Sequence, residues 1–351
     1  MNKFNNDKRL TRKLDHIKLT LDLADKNTST RFEDVKLVHQ AVPELNFNEI
    51  NLNCTWLGKK LAAPILINAI TGGSEPTEEI NASLARMARK HGLAMAVGSQ
   101  TAALNNKSTI KTYQIARQEN PDGILLANVS ALTPYEQVLR AVEMIEADGV
   151  QLHLNVLQEL LMPEGDRDFK GTLENIAQIL VKCPVPVIVK EVGFGISQET
   201  ALKLIKIGVA YLDIGGYGGT NFALIESLRN HPPQEQTFKT WGIPTAASLL
   251  EVKSLQKPLQ IIATGGIQTG LEICKALRLG ANMVGIAGLF LTRLMLKGEE
   301  ELSSTISNLL RELKITMLLC GARNLTDLNK VPLVFSGELL NWIRQRKLKV
   351  D

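Results

Sequence analysis

Eight short apolar runs, each ending in small or polar residues able to do chemistry, recur roughly every 25 to 40 residues between Pro64 and Gly288. They read PILINAITGG, LAMAVGSQ, DGILLANVS, GVQLHLNVLQE, VPVIVKEVG, YLDIGGYGGT, LQIIATGG and ANMVGIAG, with amphipathic stretches between them. This rhythm predicts an α/β fold of the (β/α)8 TIM barrel class. Barrels gather their chemistry at the C-terminal ends of the strands, so the tails of the runs form one candidate site. They contribute Thr71, Ser99, Gln100, Asn128, His153, Asn155, Gln158, Glu159, Lys190, Thr220 and two Gly-Gly turns.

One such barrel takes about 250 residues. The 351 residues therefore divide into an N-terminal arm and β-rich lid over 1–60 and a barrel with a C-terminal helical tail over 61–351, one domain overall. With 44% hydrophobic and 22% charged residues, the composition is that of a soluble chain with a large core. A net charge of +4, spread along the chain apart from a short basic run at the tail, disfavours nucleic-acid binding. No apolar stretch reaches the roughly 20 residues needed to span a bilayer. The opening MNKFNNDKRLTRKLDH also lacks the apolar middle of a signal peptide, so a cytoplasmic protein without a membrane partner is expected. Cys54, Cys183, Cys274 and Cys320 show no CxxC spacing and read as buried thiols.

Apolar residues at three- and four-residue spacing predict helices after the strands, with Gly92, Gly149, Gly208 and Gly280 as stops. Two connections, Met162 to Gly171 and His231 to Gly242, are long enough to build or cover a site. Beyond Gly288 the chain reads as helices suited to packing or subunit contacts.

Three glycine-rich turns end consecutive strands: GGYGGT, ATGGI and GIAG. A single Gly-Gly turn only permits a tight bend. Three together, each ahead of a helix, predict a phosphate cradle of backbone N–H groups. Lys190 closes an apolar strand, where an unpartnered rim lysine is the less favoured reading; Schiff-base, general-base and flavin-neutralising roles stay open. In HLNVLQE, His153 and Asn155 share one face of an extended strand, and Glu159 can offer a carboxylate to Mg2+ beside a diphosphate.

These motifs, with RKLDH at the N-terminus, NAITGG, GSQTAAL, PEGDRDFKG, VIVKEVGFGIS, GGYGGTNF and WGIPT in order, resemble the type 2, FMN-dependent isopentenyl-diphosphate isomerases. HLNVLQE with PEGDRDFKG is the specific signature; ATGGI is shared by many flavin barrels. The resemblance implies that Ala69, Ile70, Thr71, Ser99, Asn128, Lys190, Thr220, Gly265, Gly266, Ala287 and Gly288 hold FMN. It assigns Arg12 and Lys13 to the substrate diphosphate, with Ser99, Gln100, Thr101 and Gln158 on the substrate side and Glu159 to Mg2+. Gln158, His153, Asn155 and Lys190 would form the catalytic set. The family often has Met where Ile70 stands, a volume-conserving change. It often has Arg where Thr101 stands; that change takes away one diphosphate contact, for which another basic residue is expected to compensate.

The implied reaction converts isopentenyl diphosphate to dimethylallyl diphosphate by proton addition and removal without net redox change. NADPH would keep FMN reduced, and FMN would act as the acid–base group. The family implies a homotetramer or homo-octamer. The competing readings are an FMN-dependent barrel oxidoreductase and a non-catalytic barrel that binds a phosphorylated metabolite. An α-hydroxy-acid oxidase would need a His base and Arg anchors after the seventh strand, where this chain has Gly-Gly-Ile. A dehydrogenase of the inosine-monophosphate kind would need a cysteine after the sixth, and none lies there.

Overall fold

The computed structural model describes residues 16–21, 23, 29–229 and 236–350. Eight parallel strands close into a barrel in chain order: β1 (Ile65–Ile67), β2 (Ala94–Ala96), β3 (Leu125–Ser130), β4 (Gly149–Leu154), β5 (Val187–Glu191), β6 (Tyr211–Asp213), β7 (Gln260–Thr264) and β8 (Met283–Ile286). Closure comes from β8 pairing with β1, Gly285 opposite Leu66. Strands buried on both faces read as continuous apolar runs, which is why the eight runs stand out.

Side chains alternate between the two faces of each strand. Ile65, Ile67, Met95, Leu125 and Ala127 pack outward with the helices, while Leu66, Ala94, Leu126, Ile188, Ile262 and Met283 fill the interior. Two residues further along, the same inward face turns polar: Asn68 follows Leu66, Asn128 follows Leu126, Lys190 follows Ile188, Asp213 follows Tyr211 and Thr264 follows Ile262. The barrel is therefore apolar at its N-terminal end and polar at its C-terminal end. On β8 the corresponding position is Gly285, where a Cβ would lie 2.2 Å from Thr264 Oγ1 and 2.8 Å from Asn68 Nδ2.

The helix Pro76–His91 ends at Gly92 in the left-handed region, as its sequence predicts. Gly208 and Gly280 likewise follow Gln198–Lys206 and Gly270–Arg278 with positive φ. Gly149 differs. The helix Tyr135–Met144 stops earlier, Glu146 takes the positive φ, and Gly149 opens β4 instead. A Cβ at Gly149 would lie 3.0 Å from Leu126 Cδ2, so its smallness serves packing.

The expected lid is also corrected. The hairpin of Cys54–Trp56 and Lys59–Leu61 buries Trp56 and Leu61 against the apolar interior layer, closing the end opposite the polar mouth. Apolar side chains at that open end need a cover, and the mouth offers them nothing comparable. Elsewhere in the segment, Val35–Leu37 pairs antiparallel with Leu333–Phe335, a C-terminal strand not anticipated. Thr30 does reach the polar end, touching the positions that a Cβ on Gly218 or Gly266 would take.

The tail is otherwise helical, as predicted: Gly288–Leu319, interrupted at Gly298, then Leu325–Leu328 and Gly337–Arg346. The last helix docks through Trp342 Nε1 and Arg346 Nε, which donate to the buried Glu251 carboxylate at 2.8 and 2.7 Å. All four cysteines are free thiols, and burial pushes the Cys54 thiol up to about 11. Among the described residues no helix is long and apolar enough to cross a membrane.

Candidate active site

The three glycine turns meet at the C-terminal end of the barrel. A Cβ on Gly265 would lie 2.1 Å from Gly216 O, one on Gly266 2.0 Å from Gly218 O, and one on Gly219 2.6 Å from Gly266 N. Gly266 also adopts φ +74°. Thr220 Oγ1 stands 3.5 Å from where a Gly288 Cβ would be. Gly288 begins a helix whose N-cap, Ala287, has no side chain capping the first turn. Turns this close expose backbone N–H groups at a positive helix end, the surroundings a phosphate requires. Next to the first strand, Thr71 and Ser74 are buried with hydroxyls that have no hydrogen-bond partner among the described residues. Such groups are costly unless a ligand completes them. The cradle and the orphaned Thr71 hydroxyl fit a phosphorylated, polar cofactor such as FMN.

Ala69 and Ile70 are half-buried beside Thr71, and Asn68 Oδ1 accepts from the Ala69 N–H at 2.8 Å. Ser99 is held twice: its carbonyl accepts from Tyr113 Oη at 2.6 Å, and its hydroxyl meets Thr101 Oγ1 at 3.0 Å. Gln100 departs from its expected role. Its side chain is fully buried, donating to Ala141 O and accepting from the Asn128 N–H, which commits it to the barrel wall. Lys190, also buried, donates to the Glu191 carbonyl at 2.7 Å. Glu191 accepts from the N–H groups of Val192, Gly193, Phe194 and Gly195, which pins the loop after β5.

On the other side of the mouth, Asn155 stands at the N-cap of the helix Val156–Leu161 and donates to Glu159 Oε1 at 2.8 Å; the Asp166 N–H donates to Oε2 at 2.9 Å. Arg167 orders the PEGDR loop by donating to the carbonyls of Glu159, Met162, Gly165 and Asp166. Glu159 thus presents a positioned carboxylate. Among the described residues no group of three His, Cys, Asp or Glu could enclose a metal. A single carboxylate still suits Mg2+, which takes its remaining ligands from water and phosphate oxygens.

Sequence reasoning did not name Glu226. It lies buried in the helix Phe222–Arg229, accepts from Gln158 Nε2 at 3.1 Å, meets His16 Nε2 at 2.8 Å and pairs with Arg229. Its carboxyl is held below the usual carboxylate range. Burial works against this, and is outweighed by the hydrogen bond and charge of His16, the charge of Arg229 and the hydrogen bond from Gln158. His16 of the RKLDH motif is therefore at the mouth, edge-on to Phe222. Arg12 and Lys13 lie outside the described residues. The acid inside the apolar stretch NFALIESL was the available signal for Glu226.

The profile of the FMN-dependent dehydrogenases matches residues 155–334. In fold the chain is similar to a lactate oxidase of Pediococcus acidilactici, with TM-score 0.67 and 17% identity over 92% of this chain and 94% of that one. It is also similar to a mandelate oxidase mutant with an FMN adduct, with TM-score 0.64 and 15% identity over 90% and 92%. Fold, cradle and profile together define a flavin barrel of the FMN-dependent dehydrogenase class. Over nearly the whole length the similarity is to a narrower group. The isopentenyl-diphosphate delta-isomerase of Moorella thermoacetica is 48% identical over 336 residues, 96% of each chain. Those of a Geobacillus species and of Staphylococcus aureus are 47% and 42% identical over 340 and 339 residues, covering 96% and 97% of this chain and 97% of each relative. The chain belongs to the isopentenyl-diphosphate delta-isomerase family.

Proposed function

We propose that this protein converts isopentenyl diphosphate to dimethylallyl diphosphate, with FMN bound at the mouth of the barrel and Mg2+ beside the diphosphate. The observation that carries the reading is the end-to-end identity with named isomerases. Gly265, Gly266, Thr220, Ala287 and Gly288 would hold the cofactor phosphate, and Ala69, Ile70, Thr71, Ser99, Asn128 and Lys190 the rest of it. Bound FMN, kept reduced by NADPH, supplies the acid–base group for moving the double bond without net redox change.

The chain's own residues bind and orient. Gln158, held by Glu226, sets the position of the allyl unit, while His153 and Asn155 line the same pocket. Lys190 places a cation at the barrel mouth, where it favours an anionic ring. Glu159 supplies the protein ligand to Mg2+, and Arg12 and Lys13 neutralise the diphosphate. Holding the substrate in this way turns remote binding energy into orientation. The reading carries with it a cytoplasmic homotetramer or homo-octamer.

The test is anaerobic turnover of isopentenyl diphosphate by purified protein with FMN, NADPH and Mg2+, against mixtures lacking each. Product that requires FMN and reductant supports the isomerase. A yellow protein without product moves the reading to an oxidoreductase, and a colourless inert one to a binding barrel.

A further inference from the structure

Within the polar layer of the barrel, a row of hydrogen bonds joins Asp213 to His153, with one branch where Asn68 Nδ2 also donates to Thr264 Oγ1 at 3.0 Å. Asp213 Oδ2 accepts from Asn68 Nδ2 at 2.7 Å, and its Oδ1 accepts from the Gly215 N–H at 3.2 Å. Asn68 Oδ1 accepts from Gln151 Nε2 at 2.9 Å and from the Ala69 N–H. Gln151 Oε1 accepts from Asn128 Nδ2 at 2.8 Å, and Asn128 Oδ1 faces His153 Nδ1 at 2.9 Å. Asp213 and the three amides are all buried. Water cannot readily replace a member of the row.

A side-chain amide has one accepting and one donating end, so each amide in a row copies the polarity of its neighbour. Both Asp213 oxygens receive N–H groups, so Asp213 enters the row as an acceptor. Asn68 must turn its NH2 toward it, and the Ala69 N–H pins the other end of Asn68 in the same sense. Gln151 then turns its NH2 to Asn68, and Asn128 its NH2 to Gln151. The end that reaches His153 is a carbonyl oxygen, which only an N–H can meet.

We propose that Asp213 and Gln151 are positioning residues that, whenever the His153 imidazole carries a single ring proton, fix that proton on Nδ1. The row carries this preference through the polarity of three amides. Nε2, the ring nitrogen outside the row, is then the acceptor. The register shows why the row takes this path. Lys190 stands opposite both His153 and Asp213 on the strand between them, and their connection runs instead through Asn68 just past β1, Gln151 on β4 and Asn128 on β3. The consequence for turnover rests on the isomerase reading; the tautomer does not.

Nitrogen-15 NMR of histidine-labelled, FMN-loaded protein reads the tautomer directly, with the His153 signal identified among the five histidines by its loss in His153→Asn. Spectra taken across pH, read where the ring carries one proton, should show that proton on Nδ1 and none on Nε2 in wild type. Gln151→Met, which cuts the row, should give mixed or reversed tautomers and lower kcat by about tenfold or more with FMN still bound. Gln151→Glu, which keeps an oxygen for Asn128 Nδ2, should retain Nδ1–H. A single ring proton on Nε2 in wild type overturns the proposal, and needs no variant to fold. An unchanged Nδ1–H signal in folded Gln151→Met overturns it as well. If product never forms yet the tautomer is as stated, only the isomerase reading falls.

Discussion

Gln158 donates to Glu226 across 3.1 Å, tying the helix after β4 to the helix after β6, 68 residues further along the chain. Glu226 also binds His16, so one buried carboxylate holds both the expected substrate-orienting residue and the end of the N-terminal motif. Glu226→Gln keeps the shape and removes the charge. We expect kcat to fall by about tenfold or more while FMN stays bound, and stability at pH 7 to drop by about 1 to 3 kcal/mol as Arg229 and His16 lose their counter-charge. The Glu226 carboxyl is depressed in the folded protein, so its stabilisation is present above the ordinary carboxylate value. It is lost as pH falls through the folded one. The stability gap between wild type and Glu226→Gln in urea should therefore narrow below about pH 4.5. A gap independent of pH would show that the charge is not what holds the site.

Glu191 has the opposite sign. Burial pushes its carboxyl up to about 7, against the pull of the backbone N–H groups that follow it and of Lys190. The folded protein then keeps this proton to a higher pH than the unfolded chain does. Stability should decline as pH rises from the ordinary carboxylate value toward 7, by up to about 3 kcal/mol. Glu191→Gln cannot ionise and should lack that decline. Denaturation at pH 5 and pH 7.5 on both proteins measures the difference.

Gly266 combines φ +74° with a Cβ position 2.0 Å from Gly218 O, a backbone atom that cannot swing away. Gly266→Ala must force the turn after β7 away from the turn after β6. We expect a cost of about 1 to 3 kcal/mol in stability and FMN affinity weakened by about tenfold or more, since the displaced atoms belong to the cradle. Flavin-fluorescence titration of apoprotein reads the affinity. Equal affinity would move the phosphate away from these turns.

The barrel is legible because each strand is a short apolar run with chemistry at its end, and Gly92 behaves as a helix stop for local reasons. Gly149 misleads because a glycine needed for packing and a glycine needed for positive φ look alike in sequence. The hairpin at Trp56 can pass for a lid because sequence does not say which end of a barrel a segment covers. Ser99, His153 and Lys190 stand out in sequence from their places at strand ends, and Gln158 from the motif that follows the fourth strand. Asn68, Gln151 and Asp213 are hidden within apolar strands, although period-two alternation puts each on the inward face; a polar residue there marks the interior layer. Glu226 needs tertiary structure, because its partners come from residues 16, 158 and 229.

Thr101 stands where the family resemblance leads one to expect arginine, and its hydroxyl meets Ser99 Oγ at 3.0 Å. It opens the short helix Thr101–Asn105, whose N-cap residue makes no side-chain cap bond. Thr101→Arg would release the Ser99 hydroxyl and add a fixed cation at the strand end assigned to the diphosphate. Hydrogen bonds to charged groups are worth about 1.5 to 3 kcal/mol. A gain of that kind present equally in ground and transition states lowers KM and leaves kcat alone. The expected result is a KM for isopentenyl diphosphate reduced by about tenfold or more, with a steeper salt dependence and unchanged FMN content. If KM rises instead while kcat holds, the Ser99–Thr101 pair is itself the diphosphate contact in this chain, and two hydroxyls serve where the resemblance implies an arginine.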